Sequence, residues 1–164
     1  MNCGANLSAR SQSQRLAAAL EGWHALVPLR HVQSVSDFRK LDVWRASHAL
    51  ALNIHAAVKN IRGTDYLSLR SQMLRAAMSI PTNLVEGVGQ KSGREFAKFI
   101  RISLNSSNEL EYHLQLARDF GVLEPVESKS LIAQTIRVRK MLYGLLRSIA
   151  GNTKNSAPTS SPRS

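Results

Sequence analysis

SIPTNLVEG, residues 79–87, is the stretch whose reading decides the fold. Upstream of it, YLSLRSQMLRAAM (66–78) repeats apolar residues at helical spacing with no turn signal, so a helix is expected to run on through Ile80, Leu84 and Val85. Pro81 lies inside that helix. A proline in a helix interior removes one backbone hydrogen bond and costs about 3 kcal/mol, so something must hold the turn in place. An amide and a carboxylate, Asn83 and Glu86, follow directly. Either neighbouring helices hold this polar turn, or it is a ligand site.

Working outward, Gln72, Arg75, Ser79, Asn83 and Glu86 recur at three- and four-residue spacing, which puts all five on one helix face. If this helix and the next pack antiparallel about a turn near residue 90, facing positions have numbers totalling about 181. Arg75 then faces Ser106, Gln72 faces Glu109, and Asn83 lies near Lys98. Pro81 frees the carbonyl of Ala77, and a polar seam shared with the next helix is expected to supply donors to it. Glu86, near a helix C-terminus where the dipole disfavours a carboxylate, is expected to have a cationic or donor partner. The reading is an architectural seam made of Gln72, Arg75, Ser79, Pro81, Asn83, Glu86, Ser106 and Glu109.

Three further helices are expected around it. The first opens at SDF, with Ser36 or Asp37 as N-cap, and runs to about Ile61 before RGTD. Its apolar positions form two adjoining stripes: Leu41, Trp44, His48, Ala51, His55 and Val58 beside Val43, Ser47, Leu50, Ile54, Ala57 and Ile61. Two stripes exceed what a lone bundle needs, which leaves surface such as Trp44 or Leu52 for self-association. The second helix starts near Thr64 or Asp65 and ends at Gly87 or Gly89. The third opens with SGRE, where Ser92 and Glu95 have capping-box spacing, and ends at Gly121. The fourth starts around Pro125 to Ser128 and stops at Gly151. Helices of similar length, roughly 23 to 28 residues, joined by short links make an all-α, antiparallel up-down-up-down four-helix bundle.

The expected organisation is a flexible or weakly structured N-terminal extension at 1–35, the bundle at 36–150, and a disordered polar tail at 151–164. Residues 1–35 hold three Arg and one Glu, a balance that organelle transit peptides share. No apolar run approaches the length of a membrane span, and a lone Cys3 builds neither a disulfide nor a cysteine metal site, so a soluble cytoplasmic protein is expected.

Catalysis has no visible machinery. A di-iron bundle needs Glu-x-x-His on two helices, yet the residues three after Glu86, Glu95, Glu109 and Glu111 are Gly89, Lys98, Tyr112 and Leu114. His48 and His55 lie seven apart, too far along one helix to share an ion, and read as caps on an aliphatic stripe with ring edges near solvent. The serines have no base beside them in sequence. No catalytic residue, metal or cofactor is assigned.

At this point the chain resembles a known family. QMLRAAMSIPTNLVEG (72–87), the capped SGREFAKFIRISLNSSNELE (92–111), FRKLDVWRASHAL (38–50) and ARDFGVL (117–123) are together similar to the bacterial four-helix-bundle family named for open reading frames in intervening sequences of 23S ribosomal RNA. The likeness covers about residues 37 to 148. His55, Leu74 and Asn105 depart from the pattern, where tyrosine, arginine and glycine respectively are frequent. The resemblance implies a compact bundle that assembles into ring-like homopentamers and carries no enzymatic activity. It also implies distant kinship with the accessory variability determinant of diversity-generating retroelements, a basic protein that associates with nucleic acid and a reverse transcriptase.

Two functions then stand open. The chain carries 22 Lys and Arg against 11 Asp and Glu, a net +11, and residues 36 to 150 alone keep 17 basic against 10 acidic. Arg94, Lys98 and Arg101 recur on one side of the third helix, and Arg137, Lys140 and Arg147 on one side of the fourth. These six are the candidate nucleic-acid contacts of an oligomeric scaffold associating with RNA or a ribonucleoprotein. Few exposed aromatics are expected to stack on bases and no RNA-binding motif is present, so the same residues also read as a solvated charged face; the alternative function is a protein–protein interaction module with no nucleic-acid partner.

Overall fold

The computed structural model describes residues 37–154, with side chains described to position 150. The expected N-terminal extension, and the tail from 155 onward, lie outside the described residues. Four helices follow in order: α1 (Asp42–Val58), α2 (Leu67–Val88), α3 (Gly93–Asp119) and α4 (Pro125–Lys154). α2 packs against α1 and α3, and α4 packs against α3 and α1, so the four close into an antiparallel bundle. The described residues contain no strand. None of the described helices is long and apolar enough to cross a membrane.

Local chemistry sets each end. Asp37 accepts from the amide of Arg39 at 3.0 Å, but the turn it caps is a short 3-10 turn, Phe38–Lys40, and not the start of α1. Leu41 is extended (φ −80°, ψ 117°), which lets the Phe38 ring fold back edge-on to Trp44 at 4.8 Å. α1 is therefore shorter than expected, at 17 residues, and tightens at its end, where the amide of Asn60 reaches the carbonyl of Ala57. A second 3-10 turn, Thr64–Tyr66, precedes α2 in place of a side-chain cap.

Half of the expected capping box is present: Ser92 caps an amide, while the Glu95 carboxylate takes the Ser92 hydroxyl in place of a backbone amide. Ser92 Oγ accepts from the Glu95 amide at 3.2 Å and donates to the Glu95 carboxylate at 3.1 Å. α3 ends in a Schellman motif: the Gly121 amide reaches the Arg118 carbonyl, the Val122 amide reaches the Ala117 carbonyl, and Gly121 sits at φ +69°. α4 begins with Pro125, where a missing amide costs nothing, and runs past Gly151 to Lys154. Gly151 is not among the positive-φ glycines, Gly63 and Gly121, so the helix passes through it instead of stopping there.

The core is aliphatic. The whole stripe Val43, Ser47, Leu50, Ile54 and Ala57 of α1, with Ile61 just beyond it, is buried, whereas His48 and His55 of the adjoining stripe are exposed. Trp44, expected as open surface, is half-buried: Phe38 packs edge-on to it and the His48 ring stacks with it at 5.1 Å and 10°. Leu52 does remain 57% exposed. Phe96, Ile100, Ser103, Ser107, Leu110, Leu114 and Ala117 are all buried on α3. Opposite them, Met73, Ala77, Ile80 and Leu84 of α2 are fully enclosed.

Candidate functional site

α2 remains one helix through Pro81, which is buried, and side chains hold the region around it. Thr82 Oγ1 donates to the carbonyl of Met78 at 2.9 Å, Asn83 Nδ2 to that of Ser79 at 2.8 Å, and Ser103 Oγ, from α3, to that of Ile80 at 3.0 Å. Three consecutive carbonyls thus gain an extra donor. The sequence reading placed the donor on the Ala77 carbonyl, and the structure places donors on the three that follow it. A proline ring displaces the chain preceding it, so the neighbouring carbonyls open toward polar groups as well.

The seam itself is a chain of small hydroxyls with an ion pair at its outer edge. Ser79 Oγ and Ser106 Oγ lie 2.8 Å apart, and Asn83 Nδ2 also reaches Ser79 Oγ at 3.0 Å. Arg75 Nε donates to Gln72 Oε1 at 2.8 Å, and its Nη2 donates to the Glu109 carboxylate. His113 Nε2 is 3.7 Å from the same carboxylate, and His113 Nδ1 is buried without a partner.

The facing pairs differ from those expected. Arg75 meets Glu109 instead of Ser106, and Ser106 meets Ser79. Asn83 bonds within its own helix, while Lys98 is exposed. Contacting pairs total 184 (Arg75 and Glu109), 185 (Ser79 and Ser106) and 183 (Ile80 and Ser103). The reason is the lean of helical side chains toward their own N-terminus, about one residue's worth on each helix. α2 side chains reach away from the connecting turn and α3 side chains reach back toward it, which raises the total by about two. Glu86 is also corrected: it is exposed, and its backbone carbonyl, not its carboxylate, takes the Gln90 side chain at 3.0 Å. A carboxylate in water needs no buried partner.

A second anchor, between α3 and α4, is not legible in the sequence. Arg139 Nε donates to Ser107 Oγ at 3.1 Å, and its Nη2 donates to the Ser107 carbonyl at 2.9 Å and to the Glu111 carboxylate. The Arg139 and Glu111 side chains are only 20% and 22% exposed, against 63% and 35% for Arg75 and Glu109. Ser107 and Glu111 at i, i+4 were the available signal, but only the α4 register pairs them with Arg139 rather than Arg137 or Lys140.

The six candidate cations occupy the outside. Arg94, Lys98, Arg101, Arg137, Lys140 and Arg147 are all exposed, and none forms an ion pair with a carboxylate among the described residues. Residues 96–108 of α3 contain no acid, and neither does any residue of α4 after Glu127. Aromatic exposure exceeds the sequence expectation: Tyr112 is 58%, Phe120 56% and Tyr143 48% exposed. Among the described residues no cluster of three His, Cys, Asp or Glu side chains is placed to hold a metal ion.

Comparison with known proteins agrees with this architecture. The crystal structure of a protein of unknown function from the S23 ribosomal protein family of Bacteroides thetaiotaomicron is similar in fold, with a TM-score of 0.60 and 24% identity, covering 64% of this chain and 98% of that one. No curated protein matches. The sequence pattern of the family described as 23S rRNA-intervening sequence protein matches residues 39–144, from the turn before α1 to deep within α4, and so takes in Pro81, the serine seam and the Arg139 anchor together. The chain belongs to the 23S rRNA-intervening sequence protein family.

Proposed function

We propose that this protein is a non-enzymatic, basic scaffold that assembles with copies of itself and holds RNA or a ribonucleoprotein on its α3–α4 side, in the cytoplasm. The observation that carries the reading is the set of six exposed cations without carboxylate partners, all but Arg94 on helix stretches free of acids. Such a surface attracts a phosphate backbone by charge and counterion release, with no demand on sequence. A ring of subunits, five in the family this chain resembles, multiplies that field. Assembly has its own support. Leu67, Met78 and Val85 are exposed on α2, with half-buried Leu74 between them, and this uncharged stripe is available to a neighbouring subunit.

Binding of RNA to the assembled protein across a salt series tests the reading. Affinity is expected to fall steeply with salt, and the R94Q, K98Q, R101Q triple variant is expected to lower the salt slope by about two. The same α2 stripe also suits a protein–protein interaction module. RNA that fails to bind even at low salt makes that module the better account. A strictly monomeric species by sedimentation at micromolar concentration removes the assembly half of the proposal.

A further inference from the structure

The exposed aromatic on the basic side has a specific setting. Tyr143, 48% exposed, lies one turn from Lys140 and one turn from Arg147 on α4. At 3.6 residues per turn, Arg137, Lys140, Tyr143 and Arg147 span about 120° of the helix circumference. The register across to α3 is fixed by Arg139 on Ser107 and by Ile149 against Gly93, which sets Tyr143 level with about residue 101. Tyr143 leans toward the α3 side of its helix, the side from which Arg139 reaches Ser107. A phenol ring therefore stands out from the bundle with cations before it and after it on α4, and Arg101 at its level on α3.

We infer that this shoulder between α3 and α4 is a binding site for single-stranded nucleic acid, with Tyr143 as a stacking platform for one base and Lys140, Arg147 and Arg101 as the contacts for the flanking phosphates. The inference rests on the nucleic-acid reading above and narrows it. A projecting ring has no use on a duplex, whose bases are already stacked on one another and present only edges and phosphates. Among the described residues the shoulder is built from two helices side by side, with no arm or loop that projects from it to enter a groove. A single strand offers free base faces, and stacking on an aromatic flanked by cations accepts any base.

The test uses the full chain with two probes, an oligouridine of about 20 nucleotides and an RNA duplex of the same length, at about 50 and 200 mM salt. The single strand is expected to bind more tightly than the duplex. Tyr143→Ala is expected to weaken oligouridine binding about 5- to 20-fold while leaving both its salt slope and the duplex affinity unchanged, and Tyr143→Phe is expected to restore binding. Because Tyr143 is exposed, the thermal transition of both variants reports whether the fold is intact. If Tyr143→Ala binds oligouridine like the parent, or weakens both probes equally, the stacking site is wrong. If the R94Q, K98Q, R101Q variant at the same time loses affinity for both probes, the general reading survives that failure. If neither probe binds at low salt, the general reading falls, and this inference falls with it.

Discussion

α3 has two sides that treat charge in opposite ways. Toward its neighbours, each arginine that crosses to it has a carboxylate waiting: Arg75 from α2 meets Glu109, and Arg139 from α4 meets Glu111. On its outer side, Arg94, Lys98 and Arg101 have none. The few acids of this helix sit at its first turn, at the two inter-helix contacts and at its last residue, Asp119, which pairs with Arg118. A bundle needing only solubility can scatter acids among its outer cations. Here Glu109 and Glu111 hold helices together, Glu95 and Asp119 stay at the two ends, and the outer face between them stays positive.

The comparison breaks most readily at the Arg139 anchor. Glu111→Ala strands a guanidinium that is one-fifth exposed, and a loss of about 2 to 3 kcal/mol in chemical denaturation is expected. If the loss is no larger than that for Arg75→Ala, expected below about 1 kcal/mol because that pair is open to water, then burial does not separate the two contacts. Ser103→Ala removes the cross-helix donor to the Ile80 carbonyl and should cost about 1 to 2 kcal/mol in the same measurement. Asn83→Ala and Glu86→Ala sharpen the contrast within one helix: about 1 kcal/mol is expected for the bonded amide, and less than about 0.5 kcal/mol for the exposed carboxylate. Smallest of all, Arg94, Lys98 or Arg147 changed singly to Gln should leave the thermal midpoint within about 2 °C of the parent. A clear loss there would mean that the outer cations are structural after all.

Much of this fold is legible in the sequence because its signals are local. Ser92 with Glu95, Gly121 past the end of α3 and Pro125 at the start of α4 each act within a few residues of themselves, and each is found where the spacing places it. The buried stripe of α3 is likewise a property of one helix. What could not be read depends on a second helix or on side-chain direction. The pairing of Arg75 with Glu109 turns on the lean of side chains, which no spacing rule contains. Arg139 looks no different in sequence from Arg137 and Lys140, and only the register across to Ser107 and Glu111 separates it from them. Leu41 interrupts the first helix, and the Phe38 ring meets Trp44 across that break, a matter of side-chain direction that the spacing does not contain. The exposure of Tyr143 follows from where α4 turns its apolar face, so the stacking platform became visible only with the bundle assembled.

Pro81 also bears on the order of folding. A helix grows by adding one hydrogen bond per residue fixed, and at Pro81 the growing α2 gains none. Propagation in isolation should therefore falter there, leaving the half of α2 beyond Pro81 to wait for outside help. Ser103, with its bond to the Ile80 carbonyl, and Ser106, with its contact to Ser79, supply that help from the following helix. The α2–α3 pair is then expected to form as one cooperative hairpin, its contacts close in sequence and cheap to close. α1 and α4, which of the four neighbouring helix pairs contact each other least, would dock onto it afterwards.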